Sequence, residues 1–441
     1  MTRNILALGT YAVDTAEGGG KYVIHNLFKR VSSKFNITFL SLVEHNKLQK
    51  QEFITKNFEN IQIPQNMEQA NIQWEKESKI GTSIFDIIQI NNWQYNTEYV
   101  NHVKKLINLS DIIILEHPYF ANLVKSLNTN KPIIYHAHNV ELIQKQPILP
   151  SDLLNNVKNV ELLACEISSQ IWVSSDNEKD LFMSTYGIPN SKLKLLPHGT
   201  DLNTTKFIDR KNHEQLKSKV KDMSDKTIFA FTGSWHPPNL ESLEFIISDL
   251  APLNKNFLFF VIGNIRDYYL HKHSDIDIPK NVILFGSVPD AEKIGLYKLA
   301  DFAINPMFSG AGTNLKMLEY MALGLPIIST DFGARGIKIS NSTLICKKEK
   351  FAEYIKNAVH TNYSHSTSIQ ENYDIVRNLY DYGLISNKCV NFLYELLDPK
   401  LTYLEIVFKN VITELNSIGI CANDSIVETI SKETELIINT S

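Results

Sequence analysis

The chain of 441 residues has few of the features that mark secreted, membrane-spanning or nucleic-acid-binding proteins. It contains four cysteines, without a CxxC pair or a metal-finger spacing, so neither a disulfide scaffold nor a zinc finger is expected. No apolar run is long enough to span a membrane, and the one near the start is too short for a secretory signal. With 44 basic and 48 acidic residues, the net charge is −4. We therefore expect a cytoplasmic globular protein that binds no nucleic acid, with peripheral contact at the inner face of a membrane left open.

Short apolar runs alternate along the chain with stretches of helical periodicity. A first set of strands is predicted at residues 5–8, 37–42, 112–115, 132–135, 171–173 and 193–196. A second set is predicted at residues 228–232, 257–263, 282–285, 302–306 and 326–329. Helices are predicted between strands at residues 22–31, 100–107, 240–250 and 314–322. Because several strands are apolar throughout, the pattern indicates parallel sheets covered on both faces.

The alternation restarts after a polar stretch at residues 203–225, which indicates a domain boundary. The predicted fold class is α/β, with two doubly wound, Rossmann-like domains at residues 1–200 and 201–370. Their ligand-binding edges are expected to face each other across a cleft. Residues 371–395 form an amphipathic helical stretch that we expect to pack back on the first domain. Residues 396–441 form a helical tail of unknown role.

One segment combines glycines, a cation and a carboxylate at the end of a predicted strand. Residues 309–319 read SGAGTNLKMLE, and residues 320–330 continue with YMALGLPIIST. Glycine lets the backbone approach a ligand, and free N–H groups in a first helical turn attract an anion such as a diphosphate. Lys316 adds a positive charge there, and Glu319 is placed to accept hydrogen bonds from ribose hydroxyls. The spacing equally allows a plain surface pair between Lys316 and Glu319.

This segment resembles the nucleotide-sugar motif of retaining glycosyltransferases with the GT-B fold. The family is glycosyl transferases group 1 (family four), and the motif is similar to that of its GTRLK-type branch. Other segments agree in order and spacing with the same branch: HNVE at 138–141, WVSS at 172–175, PHGTD at 197–201, FTGS at 231–234 and FGSV at 285–288. The resemblance covers about residues 1–395 and leaves the tail outside.

The resemblance implies a nucleotide-diphospho-sugar donor bound mainly by the second domain and a glycan or lipid-linked acceptor bound mainly by the first. It implies catalytic roles for His138, Lys316 and Glu319. The residues implied in donor binding are Gly18, Gly19, Gly20, Gly233, Ser234, Gly286, Val288, Gly312, Thr313, Asn314 and Leu315. We expect no cofactor and no metal, because in this family a helix dipole and basic side chains offset the diphosphate charge. The expected pathway is surface polysaccharide or glycoconjugate biosynthesis.

Three positions depart from the family pattern. Ala311 stands where many relatives carry a glutamate that contacts the donor sugar, Asn314 where the branch usually has arginine, and His198 where the hinge usually has asparagine. The departures at Ala311 and Asn314 keep open a non-catalytic, partner-binding subunit with this fold. A GT-B sugar-nucleotide epimerase is a further alternative, although the HNVE and GTxLK elements favour the transferase.

Other polar residues near predicted strand ends are interpreted more simply. His136 is taken as structural, His198 as a hinge residue, and Arg266 as a solvated loop residue. The DxD spelling at residues 275–277 lies in a polar loop between strands and is not taken as a metal motif. The histidines have no serine or cysteine at a recognisable spacing, so a nucleophilic triad has no support.

Overall fold

The computed structural model describes residues 2–14, 19–208, 213–220, 223–272, 278–341, 343–361 and 367–397. Within these residues the first sheet has eight strands: β1 (Asn4–Gly9), β2 (Asn36–Val43), β3 (Lys50–Thr55), β4 (Phe58–Pro64), β5 (Ile112–Glu116), β6 (Ile133–Ala137), β7 (Gln170–Val173) and β8 (Leu193–Leu195). The strand order is β3-β4-β2-β1-β5-β6-β7-β8. The β3–β4 pair is antiparallel, and the other neighbouring pairs are parallel.

Helices cover both faces of this sheet, which is why its central strands carry runs of apolar residues that are interrupted only near the strand ends. They are α1 (Gly19–Val31), α2 (Met67–Ile80), α3 (Phe85–Asn92), α4 (Thr97–Leu109), α5 (Ala121–Ser126), α6 (Glu141–Lys145), α7 (Ser151–Ile167) and α8 (Asp176–Tyr186). Every residue of β5 is buried. Its side chains alternate between two apolar cores, with Ile113 and Leu115 on one face and Ile112 and Ile114 on the other.

The second sheet has the doubly wound order β11-β10-β9-β12-β13-β14, with all pairs parallel. Its elements are α9 (His213–Ser218), β9 (Thr227–Thr232), α10 (Pro237–Phe245), β10 (Phe257–Ile262), α11 (Ile265–Lys272), β11 (Val282–Gly286), α12 (Asp290–Leu299), β12 (Phe302–Asn305), α13 (Leu315–Leu323), β13 (Ile327–Ser329), β14 (Leu344–Ile345) and α14 (Phe351–His360). The strand order reverses between β9 and β12, so a ligand crevice is expected at their carboxyl ends.

The chain then returns to the first domain. After α15 (Ser368–Ile375) comes a π-helical segment, Val376–Tyr380, and then α16 (Tyr382–Leu397). The amphipathic stretch is therefore interrupted at Asp381, whose backbone is extended. Apolar side chains of α16 share a core with α1 and β1. The tail beyond residue 397 lies outside the described residues.

Two crossings between the domains run side by side. Thr200 forms a parallel bridge with Asp381, and its N–H donates to the carbonyl of Tyr380 at 2.9 Å. A Cβ on Gly199 would lie 2.7 Å from that same carbonyl, so only glycine permits this approach. Arg30 of α1 pairs with Asp201 at 2.6 Å. Among the described helices, none has the length and apolar character needed to cross a membrane.

The predicted strands are present, with ends that shift by one or two residues. Three strands were not predicted: β3, β4 and β14. The first is a partly exposed edge strand, the second carries Glu59, Asn60 and Gln62 among its apolar residues, and the third has two residues. None of them presents the continuous apolar run that marks the central strands.

Candidate active site

Three glycines stand at the carboxyl ends of three adjacent strands in the second domain. Gly233 follows β9, Gly263 follows β10, and Gly286 ends β11. The N–H of Gly263 donates to the carbonyl of Gly286 at 2.7 Å. Gly263 has a φ of +118°, and a Cβ there would lie 2.2 Å from the carbonyl oxygen of Gly233. The backbones therefore pack too closely for a side chain, and this edge of the sheet exposes main-chain groups.

The segment between β12 and α13 has the form that the sequence predicts, with a later helix start. Gly310 and Gly312 have φ values of +113° and +68°, and α13 begins at Leu315 with Asn314 before it. Asn314 makes no side-chain capping bond, so the first-turn N–H groups lack a side-chain cap. Thr313 and Gly312 lie at the contact with the first domain. The helix N-terminus is thus preceded by two glycine turns at the crevice.

The ammonium group of Lys316 lies in an enclosed environment without an ion-pair partner among the described residues. It donates to the side-chain oxygen of Asn239 at 2.8 Å and lies 4.2 Å from the centre of the Phe231 ring. Burial, together with the nearby Arg335, lowers the pKa of Lys316 to about 7. A lysine held in this way gains from an anion, since the anion would supply the countercharge that the protein does not.

Arg335 supplies a second cation that the sequence reasoning missed. Its Nη2 donates to the carbonyl of Ala311 at 2.6 Å, and its Nη1 donates to the carbonyl of Phe332 at 2.7 Å. Its Nε is buried and has no hydrogen-bond partner among the described residues. The glycine-flanked arginine after a strand, at residues 333–336, is the signal that could have identified it.

Glu319 does not pair with Lys316. Its Oε1 accepts from Lys293 at 2.8 Å, and its Oε2 accepts from the Tyr297 hydroxyl at 3.2 Å. The surface-pair alternative is therefore wrong, and each charge of the motif has a separate environment. Leu318 is fully buried, as expected for the core face of the helix.

The other predicted residues of this domain lie along the same edge. Ser234 accepts from the Asn239 amide at 3.1 Å through its carbonyl. Val288 packs partly against the second-domain core beyond Gly286. The exposed Arg266 lies across Gly286, where its Cδ would be 3.3 Å from an added Cβ. The DxD spelling falls outside the described residues.

Histidines and glutamates converge at the facing edge of the first domain. Glu116 ends β5, while His136 and His138 lie at the end of β6, and all three are at least 95% buried. His136 Nδ1 lies 3.0 Å from Glu116 Oε1, and His138 Nε2 lies 2.8 Å from Glu116 Oε2. Burial alone would raise the pKa of Glu116, but the two histidines outweigh it and lower the pKa to about 2. Burial, with a contribution from His136, lowers the pKa of His138 to about 4, so its imidazole is neutral.

A second chain of hydrogen bonds runs beside this cluster. His117 Nδ1 lies 2.8 Å from Glu141 Oε1, and His117 Nε2 lies 3.0 Å from the Tyr11 hydroxyl. His117 has a φ of +69°, a strained conformation for a non-glycine residue that its two partners hold in place. Its ring stacks on His138 with centroids 4.6 Å apart. The glutamate of the HNVE element is therefore a structural partner of His117.

His198 lies next to these rings at the hinge. It is 6% exposed, its ring centre is 5.4 Å from that of His138, and neither of its nitrogens has a hydrogen-bond partner among the described residues. The Nδ1 of His138 is buried without a partner in the same part of the structure. Buried polar atoms normally have a hydrogen-bond partner, so a ligand or a water is expected beside these imidazole nitrogens.

The two edges meet at the predicted residues. A Cβ on Gly312 would lie 3.6 Å from the Cβ of Asn139, and the Thr313 and Ser174 hydroxyls are 3.3 Å apart. A Cβ on Gly19 would lie 3.5 Å from the Leu315 side chain.

The first helix begins earlier than the predicted residue 22 and includes two of the N-terminal glycines. Gly19 and Gly20 belong to the first turn of α1, and not to the preceding loop. Gly18 lies outside the described residues. Because Gly19 begins α1 and lies against Leu315, the first residue of α13, the N-termini of these two helices meet across the domain interface.

Comparisons with known proteins agree with this architecture. HepE of Anabaena, solved with UDP and glucose, has a TM-score of 0.63 and 14% identity, covering 89% of this chain and 100% of that one. Sucrose-phosphate synthase of Thermosynechococcus elongatus has a TM-score of 0.68 and 12% identity, covering 90% and 100%. The lipopolysaccharide outer core galactosyltransferase WaaB has a TM-score of 0.58 and 14% identity, covering 89% and 99%. The two-domain GT-B fold predicted from the sequence is confirmed.

At the level of sequence the matches cover less of the chain. Residues 226–361 match the family model described as Glycosyl transferases group 1. A protein from Klebsiella pneumoniae, described as an uncharacterized 44.6 kDa protein in the cps region, is 26% identical over 162 residues. That match covers 33% of this chain and 42% of the relative, which is less than half of its length. The resemblance to group 1 glycosyl transferases is thus confirmed over the second domain.

Proposed function

We propose that this chain is a retaining glycosyltransferase that moves a sugar from a nucleotide-diphospho-sugar to a hydroxyl of a glycan or lipid-linked acceptor. The observation that carries the proposal is the pair of cations, Lys316 and Arg335, at the N-terminus of α13. Neither forms an ion pair within the described residues, and both lie where the sheet order reverses. A diphosphate would satisfy both charges and the first-turn N–H groups together.

The remaining donor contacts follow from position. Glu319 lies one turn further along α13, where its carboxylate is free to accept from ribose hydroxyls while it keeps its lysine partner. Gly286 and Val288 would line the base, and Gly233 with Ser234 would lie along the phosphates and sugar. The two cations would offset the negative charge of the departing diphosphate, so the transfer needs no metal at this position.

The first domain would complete the site. His138 is neutral, and its Nδ1 is buried without a hydrogen-bond partner among the described residues, so it is suited to a hydrogen bond with the sugar or acceptor. We propose front-face transfer, in which the departing phosphate helps to remove the acceptor proton. Closure of the domains about Gly199 and Asp381 would exclude water, which otherwise hydrolyses the donor.

The biological setting is inferred from the comparisons and from cysteine usage. A relative encoded in a cps region and a likeness to a lipopolysaccharide galactosyltransferase support a role in surface polysaccharide or glycoconjugate synthesis. Cys165, Cys346 and Cys389 are buried and free, as in proteins of a reducing compartment, which supports a cytoplasmic location.

Donor hydrolysis in the absence of acceptor tests the reaction. Nucleotide release is followed for a panel of UDP-, GDP-, ADP-, CDP- and dTDP-sugars, and NMR follows the anomer first released. We expect release from one donor class, with the anomeric configuration of the donor retained. Binding without any release would favour the non-catalytic subunit, and an inverted product would contradict the retaining mechanism.

Variants of α13 and its neighbour distinguish ribose binding from a structural role. Glu319→Ala should weaken donor binding by about 10- to 100-fold, the scale of a hydrogen bond to a charged group. Lys293→Met breaks the Glu319 ion pair but keeps the carboxylate, so it should change binding little. Glu292→Ala, an exposed position on α12, is the matched control. Equal losses in Glu319→Ala and Lys293→Met would show that the ion pair matters and the ribose contact does not.

A further inference from the structure

The cluster at the end of β5 and β6 places a carboxylate and two imidazoles around one point. Their ligand atoms, one each from Glu116, His136 and His138, lie within 4.8 Å of one another. His136 and His138 are separated by one residue at the strand end, and Glu116 pairs with His136 in the adjacent strand register. All three are buried, so solvent does not compete for these atoms.

The carboxylate of Glu116 lacks a permanent cation. Its two oxygens meet imidazole nitrogens at 2.8 and 3.0 Å, and it forms no ion pair with a lysine or arginine within the described residues. A buried carboxylate that faces only imidazoles has no fixed countercharge, because an imidazole is charged only when it is protonated.

A second cluster of three potential ligands, with one imidazole and two carboxylates, provides a contrast. His213, Glu214 and Asp301 also bring three such atoms together. There, however, Lys217 donates to Asp301 Oδ2 at 2.7 Å, and His213 Nδ1 also bonds the carbonyl of Lys298 at 2.9 Å. Lys217 thus supplies that cluster with a permanent countercharge, whereas no described lysine or arginine supplies one to Glu116.

Buried imidazole nitrogens without hydrogen-bond partners also support a bound ligand at this cluster. His138 Nδ1 and both nitrogens of His198 are buried and unpartnered among the described residues, and they adjoin the cluster. A metal with an open coordination position would hold a water, and that water could donate to a nitrogen of the neighbouring His198. The Nδ1 of His138 points away from a metal bound at Nε2 of the same ring, so it would keep its proton and remain available to another acceptor.

We propose that Glu116, His136 and His138 bind a borderline divalent cation, with Zn²⁺ the best match to two imidazoles and one carboxylate. Zinc sites with two histidines, one glutamate and an open position are a known class. Tetrahedral ligand atoms about 2.1 Å from zinc lie roughly 3.4 Å apart, so the observed contacts need to spread by about half an ångström. The cation would neutralise Glu116 and fix the ring of His138 toward the domain interface. This inference does not depend on the proposed glycosyl transfer.

Cobalt titration of the full, untagged chain tests the site, because Co²⁺ absorbs visibly when held by protein ligands and a polyhistidine tag would bind it. After removal of metal with a chelator, we expect one equivalent of Co²⁺ to bind with absorption bands of a low-coordinate site, and Zn²⁺ to abolish the bands. Glu116→Gln and His136→Gln should each weaken Co²⁺ binding at least about 10-fold, the lower end for disturbed metal sites.

Folding is controlled within each variant. The melting temperature with Co²⁺ is compared with that of the same variant in chelator, so a general loss of stability cancels. His213→Gln, in the second cluster, should keep the metal-dependent shift, and Glu116→Gln should lose it. The proposal is overturned if the wild type binds no Co²⁺, or if Glu116→Gln binds it as tightly as the wild type. Loss of binding in His213→Gln alone would also overturn it, since it would place the metal in the other cluster.

Discussion

Lys316→Met removes the cation that the account assigns to the diphosphate. The ammonium group touches Asn239, Phe231 and Met307 and, within the part of the chain that the structure describes, no carboxylate. The free protein therefore loses little when the lysine is replaced by an apolar side chain of similar length. The bound state loses a charged hydrogen bond, worth about 1.5–3 kcal/mol. That range corresponds to a dissociation constant for the nucleoside diphosphate roughly 10- to 150-fold higher.

The same residue predicts a pH dependence with a definite sign. Because the pKa of Lys316 is lowered to about 7, it loses its charge as the pH rises above neutrality. A bound diphosphate would restore that charge, so nucleotide affinity should fall between pH 7 and 8.5 by roughly tenfold. Burial raises the pKa of Glu178, which interacts with Arg335, to about 7, so a second group titrates in this range.

Isothermal titration calorimetry of wild type, Lys316→Met and Glu178→Gln separates the two groups. The pH dependence should persist in Glu178→Gln and largely disappear in Lys316→Met. Lys298→Met, on the exposed face of α12, is the matched control and should bind as the wild type does. A Lys316→Met protein that binds the nucleoside diphosphate with wild-type affinity and an unchanged pH profile would show that Lys316 does not hold the diphosphate.

Three further outcomes follow from the geometry. Arg335→Gln should weaken binding of the nucleoside diphosphate about tenfold or more, because the guanidinium lies at the phosphate side. Binding of the nucleoside alone should not change. Calorimetry with both ligands tests this, and equal losses for the two ligands would contradict it. Gly263→Ala should lower the free energy of unfolding by about 1–3 kcal/mol in urea denaturation, because the φ of Gly263 is +118°. Gly295→Ala should instead raise the free energy of unfolding by up to about 1 kcal/mol, because Gly295 lies within α12 and an added Cβ would face open space. A double-mutant cycle on Arg30 and Asp201 should give a coupling of up to about 1 kcal/mol, and zero coupling would show that α1 is not fastened to the hinge.

Most of the fold was predictable because its central strands are continuous apolar runs. β5 and β10 are covered by apolar cores on both faces of their sheets, so their sequences are almost entirely apolar and are easily identified as strands. β4 could not be identified in this way, because it contains the buried polar residues Asn60 and Gln62. Their burial can be seen only in the folded structure. The break at Asp381 was also missed, since helical periodicity continues on both sides of a single extended residue.

The candidate site was predictable where its members are neighbours in sequence. The glycine turns, Lys316 and Glu319 occupy one segment, and their spacing indicates an anion site before a helix. Partners distant in sequence were not predictable: Glu319 meets Lys293, and Glu116 meets His138 across two strands. Spacing alone showed no metal-ligand pattern, because Glu116 of the proposed cation site comes from β5, whereas His136 lies in β6 and His138 directly after it.

Calorimetric titration of the wild-type chain with UDP, GDP, ADP, CDP and dTDP shows whether the N-terminus of α13 binds a nucleotide. We expect one nucleoside diphosphate to bind at a single site, and we expect Lys316→Met and Glu319→Ala both to weaken its binding while Glu292→Ala does not. Absence of binding across the panel, or binding that neither α13 variant changes, would contradict the assignment of this site to a nucleotide-sugar donor.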